Sequence, residues 1–164
     1  MATTYEKIQS YTLGSASANI TFSSISSAYT DLRLVFTGSY AVASRGSIRF
    51  NSDSSTNYSD TRLLGSGTSA TSTGNTNQTY QIVGPSDSSA VLLNEIDIFS
   101  YAGSTNKTFL IGNSQDNNGS GFVSRWVCLW RSTSAITSIV YATYDGVNLA
   151  AGSTATLYGI LKAV

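Results

Sequence analysis

The segment LAAGSTATLYGILKAV (residues 149–164) decides the reading of this chain. A turn-like Ala-Gly-Ser runs straight into Thr-Ala-Thr-Leu-Tyr-Gly-Ile-Leu, a strand-like stretch with only Lys162, Ala163 and Val164 after it. A strand in that place is ordered only if a sheet holds it on at least one side. The segment therefore predicts a sheet that reaches the last residues, and working outward from it means finding the partner strands.

They are abundant. Short alternating runs cut by Ser, Gly, Asn and Asp recur along the chain, the signature of half-buried strands. SANITFSSI alternates around Ile20 and Phe22, and DLRLVFT sets Leu32, Leu34 and Phe36 against Arg33 and Val35. GSIRFN carries Ile48 and Phe50, and TYQIV carries Tyr80 and Ile82. NEIDIFSYA sends Ile96 and Ile98 one way and Glu95 and Asp97 the other. KTFLIG, ITSIVYATY and TATLYGIL are short apolar runs, and FVSRWVCLW is apolar on both faces, as a central strand would be. With KIQSYTL near the start and a weaker run at NYSDTRLL, about ten strands are expected, in the range of a sandwich or barrel. Helix formers are scarce, and a single short turn near SSISSAYTD is the most that is expected.

Length and composition agree with one β domain over residues 1–164. A chain of 164 residues buries roughly 70% of its unfolded surface on folding and needs no staples. Hydrophobic residues make up 41%, but charged residues only 11%, well under the usual ~25%. Nine basic and nine acidic residues cancel. With no basic stripe, nucleic acid is not an expected partner, and no apolar run approaches the ~20 residues of a membrane span. The opening MATTYEKIQSYTLG lacks the basic and apolar regions of a secretion signal. Low charge also leaves little to keep copies apart, so contact between chains is expected. Two hydroxyl- and Gly-rich stretches, GSGTSATSTGNTNQT (65–79) and GNSQDNNGSG (112–121), read as long surface loops, and Pro85 fits a loop.

The chemistry of catalysis is thin. There is no histidine, which removes the Ser-His-Asp and Cys-His arrangements. Glu6 and Glu95 are far apart and the aspartates are scattered, so no acid pair of a glycosidase is visible. No catalytic residue, cofactor site or metal site is assigned. DNNGSG (Asp116–Gly121) begins like a calcium loop, but its twelfth position is Val127 where a bidentate Glu is needed, and NSDSSTNYSD (Asn51–Asp60) is incomplete in the same way. Both suit ordinary turn chemistry. Cys128 reads as a buried core thiol.

The aromatics remain. Trp126 and Trp130 share a strand face with Phe122 and Cys128. Such stripes usually face the core, and a subunit interface or a sugar-stacking platform stays open. Arg125 and Arg131 fall on the opposite face, and Arg is enriched at protein contacts. Arg125, Trp126, Trp130 and Arg131 are thus the candidate interface residues.

Both ends of the chain carry a likeness. TYEKIQSYTLGSASANITFSSISSAYTDLRLVF (Thr4–Phe36) and ITSIVYATYDGVNLAAGSTATLYGI (Ile136–Ile160), with its Gly152-Ser153 turn and Leu157-Tyr158-Gly159 strand, resemble a structural module of tailed-bacteriophage virion proteins; SIRFNSDSSTNYSD resembles it more loosely. The resemblance implies an all-β, jelly-roll-like antiparallel β-sandwich of about eight to ten strands, the last strand closing it near Tyr11–Leu13. Modules of this kind resemble one another on capsids, tails and fibres alike; the size of the chain, the lack of a linker or coiled-coil pattern and the uncharged surface favour a capsid decoration, or cement, protein on the outer head surface. That protein would be made in the host cytoplasm, bind the major capsid protein and associate with itself, a homotrimer matching the local threefold positions of a shell. The alternative is a tail, baseplate or fibre module that attaches to a host glycan. An enzyme such as a glycan hydrolase ranks third, for want of histidine and paired acids.

Overall fold

A computed structural model describes residues 4–84, 90–115 and 121–161. Twelve strands appear among them: β1 (Tyr5–Thr12), β2 (Asn19–Phe22), β3 (Asp31–Gly38), β4 (Gly46–Phe50), β5 (Tyr58–Gly65), β6 (Ala70–Gln78), β7 (Gln81–Val83), β8 (Leu92–Ile98), β9 (Lys107–Gln115), β10 (Phe122–Trp130), β11 (Ile139–Thr143) and β12 (Thr154–Ile160). They form an eight-stranded sheet, β1-β12-β3-β8-β9-β10-β5-β6, and a four-stranded sheet, β2-β11-β4-β7. Every pairing is antiparallel. The fold is a jelly-roll-like β-sandwich, and no helix occurs among the described residues.

The terminal strand is held on both sides. β12 pairs with β1, Tyr11 opposite Ala155, and with β3, Leu157 opposite Leu34. Ala155 and Leu157 point into the core and are fully buried. Closure of the sandwich beside Tyr11–Leu13 is thus what the sequence predicts and what the fold contains.

Alternation sets the core. Leu32, Leu34 and Phe36 of β3, Ile96 and Ile98 of β8, Phe109 and Ile111 of β9, and Trp126, Cys128 and Trp130 of β10 face inward from the large sheet. Ile20, Phe22, Ile48, Phe50, Ile139 and Tyr141 meet them from the small one. Aromatic contacts join the layers: Phe36 stacks on Tyr141 at 4.4 Å between centroids, and Phe50 sits edge-on to Phe109 at 5.0 Å and to Trp130 at 5.5 Å. Such offset and T-shaped pairs add to plain area burial.

A chain of buried hydrogen bonds threads this apolar core. Trp126 Nε1 donates to Ser124 Oγ (2.9 Å), Ser124 Oγ to Asn113 Oδ1 (2.8 Å), Asn113 Nδ2 to Asn94 Oδ1 (2.7 Å), and Asn94 Nδ2 to Tyr141 Oη (2.6 Å). Tyr141 Oη in turn meets Tyr40 Oη at 3.2 Å. The line crosses β10, β9 and β8 and then passes between the sheets to β11. Each member relieves its neighbour's burial cost, and a one-residue slip of any strand would break the line.

Three expectations need correction. The strands number twelve among the described residues rather than about ten, because residues 65–79 contain β6 instead of one long loop. Its Ser, Thr, Asn and Gly residues are exposed on both faces along most of its length, so no hydrophobic period marks it. Residues 112–115 likewise belong to β9; positions 116–120, with most of the calcium-like DNNGSG, lie outside the described residues, as does Pro85. In β7 the inward residues are Gln81 and Val83, not Tyr80 and Ile82. Gln81 is drawn in because its Nε2 donates to Asp60 Oδ2 at 2.9 Å.

Candidate functional site

The outer face of the large sheet is the side turned away from the small sheet. Ladder registers place Val35, Glu95, Gly112, Arg125 and Leu63 in one row across β3, β8, β9, β10 and β5. On one side of that row lie Arg33, Asp97, Leu110, Val127 and Thr61; on the other lie Thr37, Leu93, Ser114, Val123 and Gly65. Toward β1 and β12 the face turns hydroxylic, with Ser10 Oγ and Thr156 Oγ1 2.8 Å apart.

Its centre combines exposed aliphatics with a short line of charge. Val123 is 63% exposed, Leu63 58% and Val127 55%. β10 is therefore interior to its sheet, as its apolar sequence predicts, yet one of its faces is covered by nothing among the described residues. Single exposed aliphatics are ordinary; a cluster on one flat face marks a contact surface. Arg33 bonds Glu95 and lies 3.2 Å from Asp97. Partial burial works against the Arg33 charge, but the two carboxylates outweigh it and hold the guanidinium above its ordinary range. Arg125 stretches over Gly112: a Cβ there would come within 3.0 Å of its Nη1 and 3.9 Å of Glu95 Oε2. Among the described residues no carboxylate lies within bridging distance of Arg125. Gly65, Ala70, Gly112 and Ser114 keep the floor low and leave a groove of about 460 Å³ walled by Leu63, Val123 and Arg125.

The structure separates the four candidate interface residues. Arg125 is on the outer face and exposed. Trp126 and Trp130 are not interface residues of this chain: they are 1% and 2% exposed, because their side of β10 faces the small sheet. Trp130 packs against Phe50 and Tyr58, and Trp126 lies under the Arg62 guanidinium at 4.8 Å. Arg131 lies past the end of β10 and is tied down, donating to Thr56 O and, at 2.9 Å, to Asn77 Oδ1. Leu63, Val123 and Val127 were within reach of sequence reading, since a strand apolar on both faces leaves one face to explain; which face stays open depended on how far the small sheet extends.

The oxygen-rich loop at Asn51–Asp60 serves the fold. Asp53 Oδ2 accepts from Trp130 Nε1 (2.7 Å) and Asn57 Nδ2 (2.9 Å), and Oδ1 accepts from Ser55 N (2.8 Å). Partial burial raises the cost of its charge, but these donors prevail and bring its pKa down to about 2. Asn51, in the left-handed region at φ 52°, accepts from Thr137 N and Ser138 N and donates to Ala135 O. Among the described residues no three His, Cys, Asp or Glu side chains converge on a possible metal position. Cys128 is buried, and burial with the nearby Asp60 charge pushes its thiol far up, away from the reactive thiolate.

No family model matches the chain, and no curated protein is similar to it. Among solved structures it is similar to the Caenorhabditis elegans galectin LEC-6, at 10% identity and a TM-score of 0.36, over 93% of this chain and 96% of that one.

Proposed function

We propose that this chain is a structural protein of a bacteriophage particle, a capsid decoration protein that binds the outer head surface and stabilises the shell by protein–protein contact. The virion assignment comes from the likeness of residues 4–36 and 136–160 to phage structural modules. The single observation that supports a contact role is the outer face of the large sheet, where exposed Leu63, Val123 and Val127 surround Arg125 over the Gly112 floor. A flat, aliphatic, sparsely charged surface suits another protein surface. The rival reading, attachment to a host glycan, rested on the aromatic content and on the Ser/Asn-rich stretches 65–79 and 112–121; Trp126 and Trp130, its stacking platform, are both in the core, and residues 65–79 contain β6. Self-association and the major capsid protein are the proposed partners, with the local threefold positions of the shell as the proposed lattice sites.

A decoration protein binds the assembled shell and not its unfolded subunits, so it stabilises by mass action, about 2.7 kcal/mol per site at a hundredfold excess over Kd. The test uses heads that lack this protein. Adding it back should raise the temperature at which heads burst and leave adsorption to host cells unchanged. Restored adsorption with unchanged head integrity refutes the proposal and supports the tail or fibre reading.

A further inference from the structure

The outer face matches itself, and we infer that its occupant is a second copy of this chain, packed sheet to sheet about a two-fold axis that runs parallel to β9 above Gly112. The inference stands on the face alone and does not depend on the virion role.

Consider what such an axis does. It lays β10 over β8 of the partner and leaves β9 facing β9. Arg125 and Glu95 flank Gly112 in one row, one strand to either side. Arg125 therefore meets the partner's Glu95, and Glu95 meets the partner's Arg125. That supplies a carboxylate to the one central cation that has none within bridging distance among the described residues. In the next row Val123 and Leu93, 63% and 37% exposed, are also one strand to either side of β9. Val123 then covers the partner's Leu93, and the reverse. Leu110 meets the partner's Leu110, and Leu63 reaches toward the partner's Val35. The unlike matches set Val127 against the partner's Asp97, whose charge is already held by Arg33, and Thr61 against the partner's Arg33.

The charge count points the same way. The centre of the face carries two cations, Arg33 and Arg125, and two anions, Glu95 and Asp97. A net-neutral surface on which Arg125 and Glu95 are placed symmetrically about β9 selects its own image over a strongly acidic or basic partner. Size also fits. Eight strands about 4.8 Å apart and about 23 Å long project roughly 800 Å², the area each partner contributes to a standard stable interface. Aligned sheets pack about 10 Å apart with strand directions within about 30° of each other, a range that includes this arrangement. Gly112 leaves Arg125 room to lie flat in that gap. Because the matching is of the isologous kind, the unit it builds is a pair; a threefold grouping on a shell would use other surfaces.

Sedimentation velocity of the purified full chain across micromolar concentrations tests this. The expected species is a dimer. Arg125→Glu sets two carboxylates face to face, and Glu95→Lys sets two cations; each should weaken pairing by about tenfold or more. Mixing the two variants restores both ion pairs and should restore a heterodimer. Val123→Glu should also give monomer, with the emission of buried Trp126 and Trp130 unchanged as proof that the sandwich is intact. A wild-type monomer or trimer, a dimer that survives Arg125→Glu, or variants that stay apart when mixed would each overturn the inference. None of these outcomes bears on whether heads are stabilised, so failure here and failure of the decoration role are read separately.

Discussion

Removing the Asn94 amide tests whether the buried hydrogen-bond line holds the sandwich in register. Asn94 is 1% exposed and sits mid-line: it donates to Tyr141 Oη at 2.6 Å and accepts from Asn113 Nδ2 at 2.7 Å. In Asn94→Ala, Tyr141 keeps its contact with Tyr40, and Asn113 keeps its bond from Ser124. The Asn113 Nδ2 group loses its acceptor in a dry environment, which costs about 1–3 kcal/mol, and the bond to Tyr141 adds about 1 kcal/mol. A small cavity adds a further ~1 kcal/mol. The expected loss is about 3–5 kcal/mol, a large part of a total stability of roughly 5–15 kcal/mol. At about 2–4 °C per kcal/mol for a chain of this size, the melting midpoint should fall by roughly 6–20 °C. Urea unfolding followed by tryptophan emission measures it well, since Trp126 and Trp130 report from the core. A loss below about 1 kcal/mol would refute the view that the line contributes to stability.

Three further outcomes follow from the same geometry. Deleting residues 154–164 removes β12 from between β1 and β3 and should abolish soluble folding; an unchanged melting transition would contradict that. Gly38→Ala places a Cβ 2.5 Å from Ser153 Cβ and 2.9 Å from its Cα, so it should cost about 1–3 kcal/mol by forcing β3 and the 150–153 turn apart, measured by the same urea titration. The Asp53 pKa lies at about 2 in the fold against an ordinary 3.8. Its contribution, about 1–2 kcal/mol after allowing for partial exposure, is present above pH ~4 and lost as pH falls through ~2. Asp53→Asn should therefore destabilise at neutral pH, with the difference from wild type shrinking as pH falls and vanishing only below about pH 2.

What could be read from the sequence was whatever alternates. β3, β8 and β12 carry strict inward–outward patterns, and their faces are as the pattern demands. β6 carries none because it is an edge strand with both faces wet for most of its length, so its hydroxyl-rich sequence imitates a loop. β7 misleads because it is only three residues long, with Val83 turned inward alongside Gln81, whose Nε2 donates to Asp60 Oδ2 and Ile82 O. The candidate face was half legible. Arg125 could be placed on the outer side by counting from Trp126. The row Glu95–Gly112–Arg125 could not, since it depends on long-range pairing of β8, β9 and β10 that no local pattern encodes. The two tryptophans drew attention to the wrong side of β10: their size suits contact surfaces and cores alike, and the small sheet decides between the two.

The most direct test of the whole account is to image intact particles by electron cryomicroscopy at a resolution that traces this sandwich. The account predicts copies distributed over the outer head surface in contact with the major capsid protein, with Leu63, Val123 and Arg125 buried against a neighbouring protein surface. Copies confined to the tail tip, or copies on the head whose large-sheet outer face stands bare to solvent, would contradict it.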